Sequence, residues 1–162
     1  MLDLCHWLET TAVGIVVRES LYGFPILVGL HIMGLIVSVG VVLWFDLRLL
    51  GLALTGVPPS GVYRRLMPWA AAGFVLMAIT GGLLFVGYAS TAYENVFFRI
   101  KLAAMLLAAL NAVVYHRVTQ RSGDTWDAPS HMPPGARVAG AASLLLWAIV
   151  IVSGRMMAYT MY

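Results

Sequence analysis

SLYGFPILVGLHIMGLIVSVGVVLWF, residues 20–45, decides the fold. It contains no Asp, Glu, Lys or Arg, and His31 stands alone in its middle. A helix rises about 1.5 Å per residue, so roughly 20 apolar residues cross a hydrocarbon core about 30 Å thick. The stretch is long enough to span. Three further runs free of those four residue types, Leu66–Tyr93, Leu102–His116 and Val138–Gly154, reach the same length once their flanks are included.

The whole chain agrees with its apolar runs. Of its 162 residues 61% are hydrophobic and 10% charged, with a mean hydropathy of +0.89. Soluble domains carry about 25% charged residues, and a small one lacks the interior volume to hide so much apolar surface. Strict alternation is absent and Leu, Ala, Val and Met abound, which suits helices rather than barrel strands. The expectation is an all-α bundle of four up-and-down transmembrane helices, about residues 21–45, 67–88, 97–117 and 137–159, within one integral membrane domain spanning 1–162.

The first twenty residues read differently. Asp3 and Glu9 stand where a signal peptide needs basic residues, and no long apolar core precedes Arg18. Leu4, Leu8, Ala12 and Ile15 recur at helical spacing, which predicts an amphipathic helix over about 2–18 lying in the membrane interface. The single cysteine, Cys5, excludes an internal disulfide.

Basic residues set the orientation. Arg48, Arg64, Arg65, Arg117, Arg121 and Arg137 follow the first and third spans, whereas Arg18, Arg99, Lys101 and Arg155 lie on the other side. The positive-inside rule then puts the first group in the cytoplasm and both termini outside. Pro58 and Pro59 are expected to stop the first helix. The short connection YASTAYENVF makes the second and third spans an antiparallel pair. The third connection, RSGDTWDAPSHMPPGAR, reads as a mobile surface loop with a solvated His131. Ala104, Ala108 and Ala112 form a small-residue seam. Trp44, Trp69, Tyr88, Tyr93, Tyr159 and Tyr162 read as the interfacial aromatic belt.

Ionisable groups inside a membrane are functional candidates. His31 lies roughly 15 Å below the outer face, and Lys101 and Arg155 roughly 6 Å below it. An imidazole beneath two cations suits a b-type haem: His31 would ligate the iron, and Lys101 and Arg155 would hold the propionates. Gly34 and Ser38 share the face of His31 and either leave room for a macrocycle or simply permit tight helix packing. Two residues compete as second ligand. His116 is an imidazole but lies about 12–15 Å deeper than His31; Met105 is at the right depth and offers a thioether. Met77 is a second methionine at that level, and both methionine readings compete with ordinary core filling. With Asn111, Tyr115 and Arg117, His116 could instead form a polar patch for a quinone head group or a partner subunit, or snorkel toward water. Asp46 is expected to pair with Arg48, Arg64 or Arg117.

Other chemistries find no support. There is no Ser–His–acid set, no phosphate-cradling glycine loop and no pair of intramembrane carboxylates. HIM at 31–33 and HM at 131–132 are too short to argue for copper. The basic pI of about 9.3 comes from loop arginines, so a nucleic-acid partner is not expected. Four helices without a broken segment offer little alternating-access machinery.

The blocks RESLYGFP (18–25), LHIMGL (30–35), FDLRLLG (45–51), FFRIKL (97–102), LNAVVYH (110–116), SLLLW (143–147) and SGRMMAY (153–159) resemble a family of small, largely uncharacterised bacterial four-helix inner-membrane proteins. The likeness runs from about Trp7 to Tyr159. A looser likeness, resting only on four helices and buried histidines, is to small b-type membrane cytochromes of the copper-resistance type. The chain lacks their fuller set of intramembrane histidines.

The functional expectation is a haem-binding or redox subunit, passing electrons to or from quinone or a periplasmic partner. The competing class is a cofactor-free accessory subunit that packs against other membrane subunits or itself. Either suits an electron-transfer or accessory role better than a stand-alone enzyme.

Overall fold

The computed structural model describes residues 1–121 and 132–160, for 119–121 the backbone alone. Residues 122–131 of the third connection, with His131, and Tyr162 of the expected belt lie outside the described residues, whereas 134–137 of that connection already belong to the last helix. Among the described residues the chain is all-helical: α1 (Leu2–Thr10), α2 (Ala12–Glu19), α3 (Gly23–Leu50), α4 (Pro59–Gly87), α5 (Ala89–Glu94), α6 (Val96–Arg121) and α7 (Pro134–Thr160). Four of them, α3, α4, α6 and α7, are long and apolar enough to cross a bilayer. The chain is a multi-pass membrane protein with a lipid environment around its helices.

Local chemistry explains the helix ends. The first span does not stop at Phe45 but continues to Leu50, where Gly51 takes the left-handed conformation (φ 77°). There the Gly51 amide donates to Arg48 O and the Leu52 amide to Leu47 O, satisfying the last carbonyls. Pro58 and Pro59 therefore start a helix rather than stop one. Pro59 sits in the first turn of α4, where its missing N–H costs nothing, and α4 begins eight residues before the expected Met67. The expected interfacial helix is broken in two at Thr11, which caps α2 by accepting from the Gly14 amide at 3.2 Å. The connection between the second and third spans folds into α5. Asn95 then caps α6, its Oδ1 accepting from the Phe97 amide at 2.9 Å.

Close backbone packing runs in the order α4–α3–α7–α6. The pair expected from the short connection, α4 with α6, is antiparallel but is not among the close backbone pairs. Rings bridge those two helices instead: Phe85 stacks on Phe98 near one end and Tyr63 on His116 near the other. Glycines set the two tightest crossings. A Cβ on Gly73 of α4 would lie 2.8 Å from Gly34 O of α3, and one on Gly140 of α7 would lie 3.1 Å from Asp46 O. In α6, Ala104 and Ala108 are buried as a seam should be, whereas Ala112 is exposed.

The small helices cover one end of the bundle. Val17 of α2 packs against Gly87, and Glu9 of α1 reaches Ser90 of α5. Trp44, Trp69 and Tyr159 are exposed on the outer faces.

Candidate functional site: a tethered histidine and a carboxyl-lined cavity

The polar groups inside the bundle fall into two places, one toward the α1 end and one toward the opposite end.

His31 projects from α3 toward α4. Its Nδ1 lies 3.0 Å from Thr80 Oγ1. The Thr80 hydroxyl also lies 2.7 Å from the Leu76 carbonyl, which can only accept. Its one proton is thus given to the helix, as Ser and Thr in helices commonly do. Toward His31 the Thr80 oxygen must therefore accept, and Nδ1 carries the hydrogen. In the neutral imidazole this tautomer leaves the Nε2 lone pair for a ligand or a metal. Gly81 makes room for the ring, since a Cβ there would lie 2.9 Å from His31 Cε1.

Lys101 of α6 is partly buried and near enough to act electrostatically on His31. Its methylenes and Nζ lie against Gly154 of α7. Among the described residues no carboxylate pairs with it. Arg155 does not join them. It is exposed, donates to the Tyr159 hydroxyl at 2.9 Å and lies over the Tyr159 ring. The Gly34–Ser38 face is filled by α4. Gly34 meets Gly73 and Met77, and the Ser38 hydroxyl donates to Met77 Sδ at 3.1 Å. Those small residues serve helix packing, and Met77 is committed to it.

The second place is a cavity of about 430 Å³ bounded by α3, α4, α6 and α7. Met105 and His116, the two candidate second ligands, line this cavity; His31 does not. Phe45, Tyr63, Phe74, Tyr115 and Trp147 supply aromatic walls, with Phe45 edge-on to both Tyr63 and Tyr115. The Asn111 amide is turned to the Ala139 carbonyl at 2.9 Å.

Asp46 is the wall's one acid. It is 3% exposed and makes no ion pair with Arg48, Arg64 or Arg117 among the described residues, contrary to expectation. Residues two apart on a helix do not face each other, and Arg48 Nε instead donates to the Val57 carbonyl at 2.7 Å. Ser143 of α7 hydrogen-bonds the Asp46 carboxyl. Among the described residues Asp46 Oδ2 has no hydrogen-bond partner. A buried polar atom left unpaired costs about 1–3 kcal/mol, more when charged.

Sequence reasoning missed Thr80 and Ser143. The available signal was a Ser or Thr hydroxyl inside an apolar run, of the kind that tethers a neighbouring polar side chain. Among the described residues no cluster of three or more His, Cys, Asp or Glu is placed to hold a metal ion.

Comparison with known proteins yields one family. Residues 4–160 match the model of a family of unknown function (DUF6644), and the chain belongs to that family. No curated protein matches the chain, and no solved structure does.

Proposed function

We propose that this chain, as a member of that family, is a redox subunit of the bacterial inner membrane whose His31 ligates the iron of a b-type haem. It would pass electrons to a lipid-soluble or a periplasmic partner, with both termini and α1, α2 and α5 on the periplasmic side. The observation that carries the reading is the tethered imidazole. Metal-bound histidines typically donate their other ring N–H to a fixed acceptor, which sets ring orientation and tautomer. Thr80 does this for His31. Lys101 adds a cation close to the ring and without a carboxylate partner among the described residues, which suits a propionate. Haem would supply one-electron chemistry; His31 would supply a ligating nitrogen and Lys101 the compensating charge. Because α4 fills the Gly34–Ser38 face, a macrocycle has to be accommodated from the Lys101 side.

The test is an absorption spectrum of protein purified from haem-replete cells. The expected result is a Soret band that His31→Ala abolishes while the protein keeps its helical circular dichroism and its elution volume. Colourless wild-type protein defeats the reading.

The Gly34–Gly73 contact favours a second reading, a cofactor-free accessory subunit. In that case His31–Thr80 is an interhelical hydrogen bond, and the working surface is the apolar exterior. That reading expects no pigment and co-purification with other membrane subunits.

A further inference from the structure

Asp46 is 3% exposed and lines a cavity of about 430 Å³, and among the described residues its Oδ2 has no hydrogen-bond partner. A carboxyl oxygen so placed sets the chemistry of whatever fills the space. We infer that the cavity is a binding site for the head group of a lipid-soluble quinone or quinol, with Asp46 as its hydrogen-bonding anchor.

Three features of the cavity select this class. Its walls are mostly hydrocarbon and its four helices are long and apolar enough to cross a bilayer, so the occupant is soluble in lipid. Rings at Phe45, Tyr63, Phe74, Tyr115 and Trp147 stand around it, which suits a flat conjugated head group. The anchor is a single carboxyl beside the Ser143 hydroxyl. A carboxylate accepts from a quinol hydroxyl, and a carboxylic acid donates to a quinone carbonyl, so one side chain serves both states of the molecule. A phospholipid phosphate meets the wrong partner, since a carboxylate repels it. Size agrees as well, for small-molecule sites run from roughly 300 to 1,000 Å³. Asp46 lies four residues from the end of α3, about 6 Å along its axis, at a depth where an amphiphile keeps its head near the interface and its tail in the acyl chains.

The inference rests on the redox reading only for the use made of the electrons; binding stands on the cavity alone. The experiment titrates the full chain in detergent with decylubiquinone and follows tryptophan fluorescence, with Trp147 in the cavity wall as the reporter. Saturable quenching is expected. Asp46→Leu should weaken it at least ten-fold, and Ala112→Phe, which adds a ring to the cavity wall on α6, should do the same. Quenching that does not saturate overturns the proposal, as does equal affinity in both variants. Equal displacement of the probe by decylbenzene would reveal a merely apolar hole, and equal displacement by phosphatidylglycerol a phospholipid site; either overturns it too. Colourless protein that binds decylubiquinone through Asp46 supports this site while ending the haem reading. Pigmented protein that fails to bind it does the reverse.

Discussion

Gly34 of α3 and Gly73 of α4 bring two membrane helices into backbone contact: a Cβ on Gly73 would stand 2.8 Å from Gly34 O and 2.7 Å from Ser38 N. Backbone atoms cannot swing aside as a flexible side chain can. Gly73→Ala should therefore separate the helices, at an overpacking cost of about 1–3 kcal/mol. Gly29, whose added Cβ would meet nothing within 4 Å among the described residues, is the control. Gly29→Ala should be neutral or stabilising by up to about 1 kcal/mol, since alanine is the better helix former. Thermal unfolding of both variants in one detergent, monitored by circular dichroism, checks the pair. Equal midpoints would refute the close crossing.

Thr80 offers a test of the imidazole tether that leaves the ring itself intact. Thr80→Val removes the hydroxyl that accepts from His31 Nδ1 and keeps the side-chain volume. Loss of such a supporting partner typically costs about 10–100-fold in metal affinity. If His31 holds haem, the ratio of haem to protein measured by pyridine haemochrome should drop about ten-fold in Thr80→Val at limiting haem supply. A variant that retains full haem and an unshifted Soret band would show that Thr80 does not support the ligand.

The spans were readable because a long run without charge admits few structures, and residues 20–45 are such a run. Their ends were not. Charge at Asp46 suggested an exit from the membrane, but a helix stops where its backbone is given an alternative, here at Gly51. Thr11 split an amphipathic pattern that looked continuous, because a cap depends on one side chain rather than on periodicity. Gly34 and Ser38 look the same in sequence whether they flank a ligand or a neighbouring helix; only the position of Gly73 decides. Asp46 and Arg48 invited pairing by proximity in the chain, and the continuation of α3 past Phe45 turned them to different faces. Asp46 thus became part of the cavity wall, which requires all four long helices and which no single stretch of sequence announces.

Lys101 and Arg155 looked equivalent by depth and differ in direction. Lys101 faces into the bundle beside Gly154, whereas Arg155 turns outward onto Tyr159. Lys101→Met should lower haem retention by at least three-fold. Arg155→Met should leave it unchanged and cost no more than about 0.5 kcal/mol in stability, as surface substitutions usually do. The checks are haem content and unfolding midpoint for each variant. A larger loss of haem from Arg155→Met than from Lys101→Met would reverse the assignment of the propionate partner.

Glu9 ties α1 to α5, and the tie is sensitive to acid. Its Oε1 accepts from the Ser90 amide at 2.8 Å and from the Ser90 hydroxyl at 2.6 Å, and its side chain is 14% exposed. Burial alone would raise its pKa. The two Ser90 hydrogen bonds, with smaller help from His6 and Arg18, outweigh burial and hold it below the ordinary 4.5. A carboxyl with a lowered folded-state pKa contributes stability that is complete above its ordinary pKa and fades as pH falls through the lowered one. Docking of the α1 segment should therefore be full at neutral pH and weaken below about pH 4.5. A hydrogen bond to a charged group is worth about 1.5–3 kcal/mol, so Ser90→Ala should loosen the segment by about that much at pH 7 and flatten the acid response. Glu9→Gln should remove the acid response altogether. Hydrogen exchange of the α1 amides between pH 3.5 and 7, corrected for intrinsic rates, reads both effects. Protection that falls equally with acid in Glu9→Gln and in the wild type would assign the response to another group.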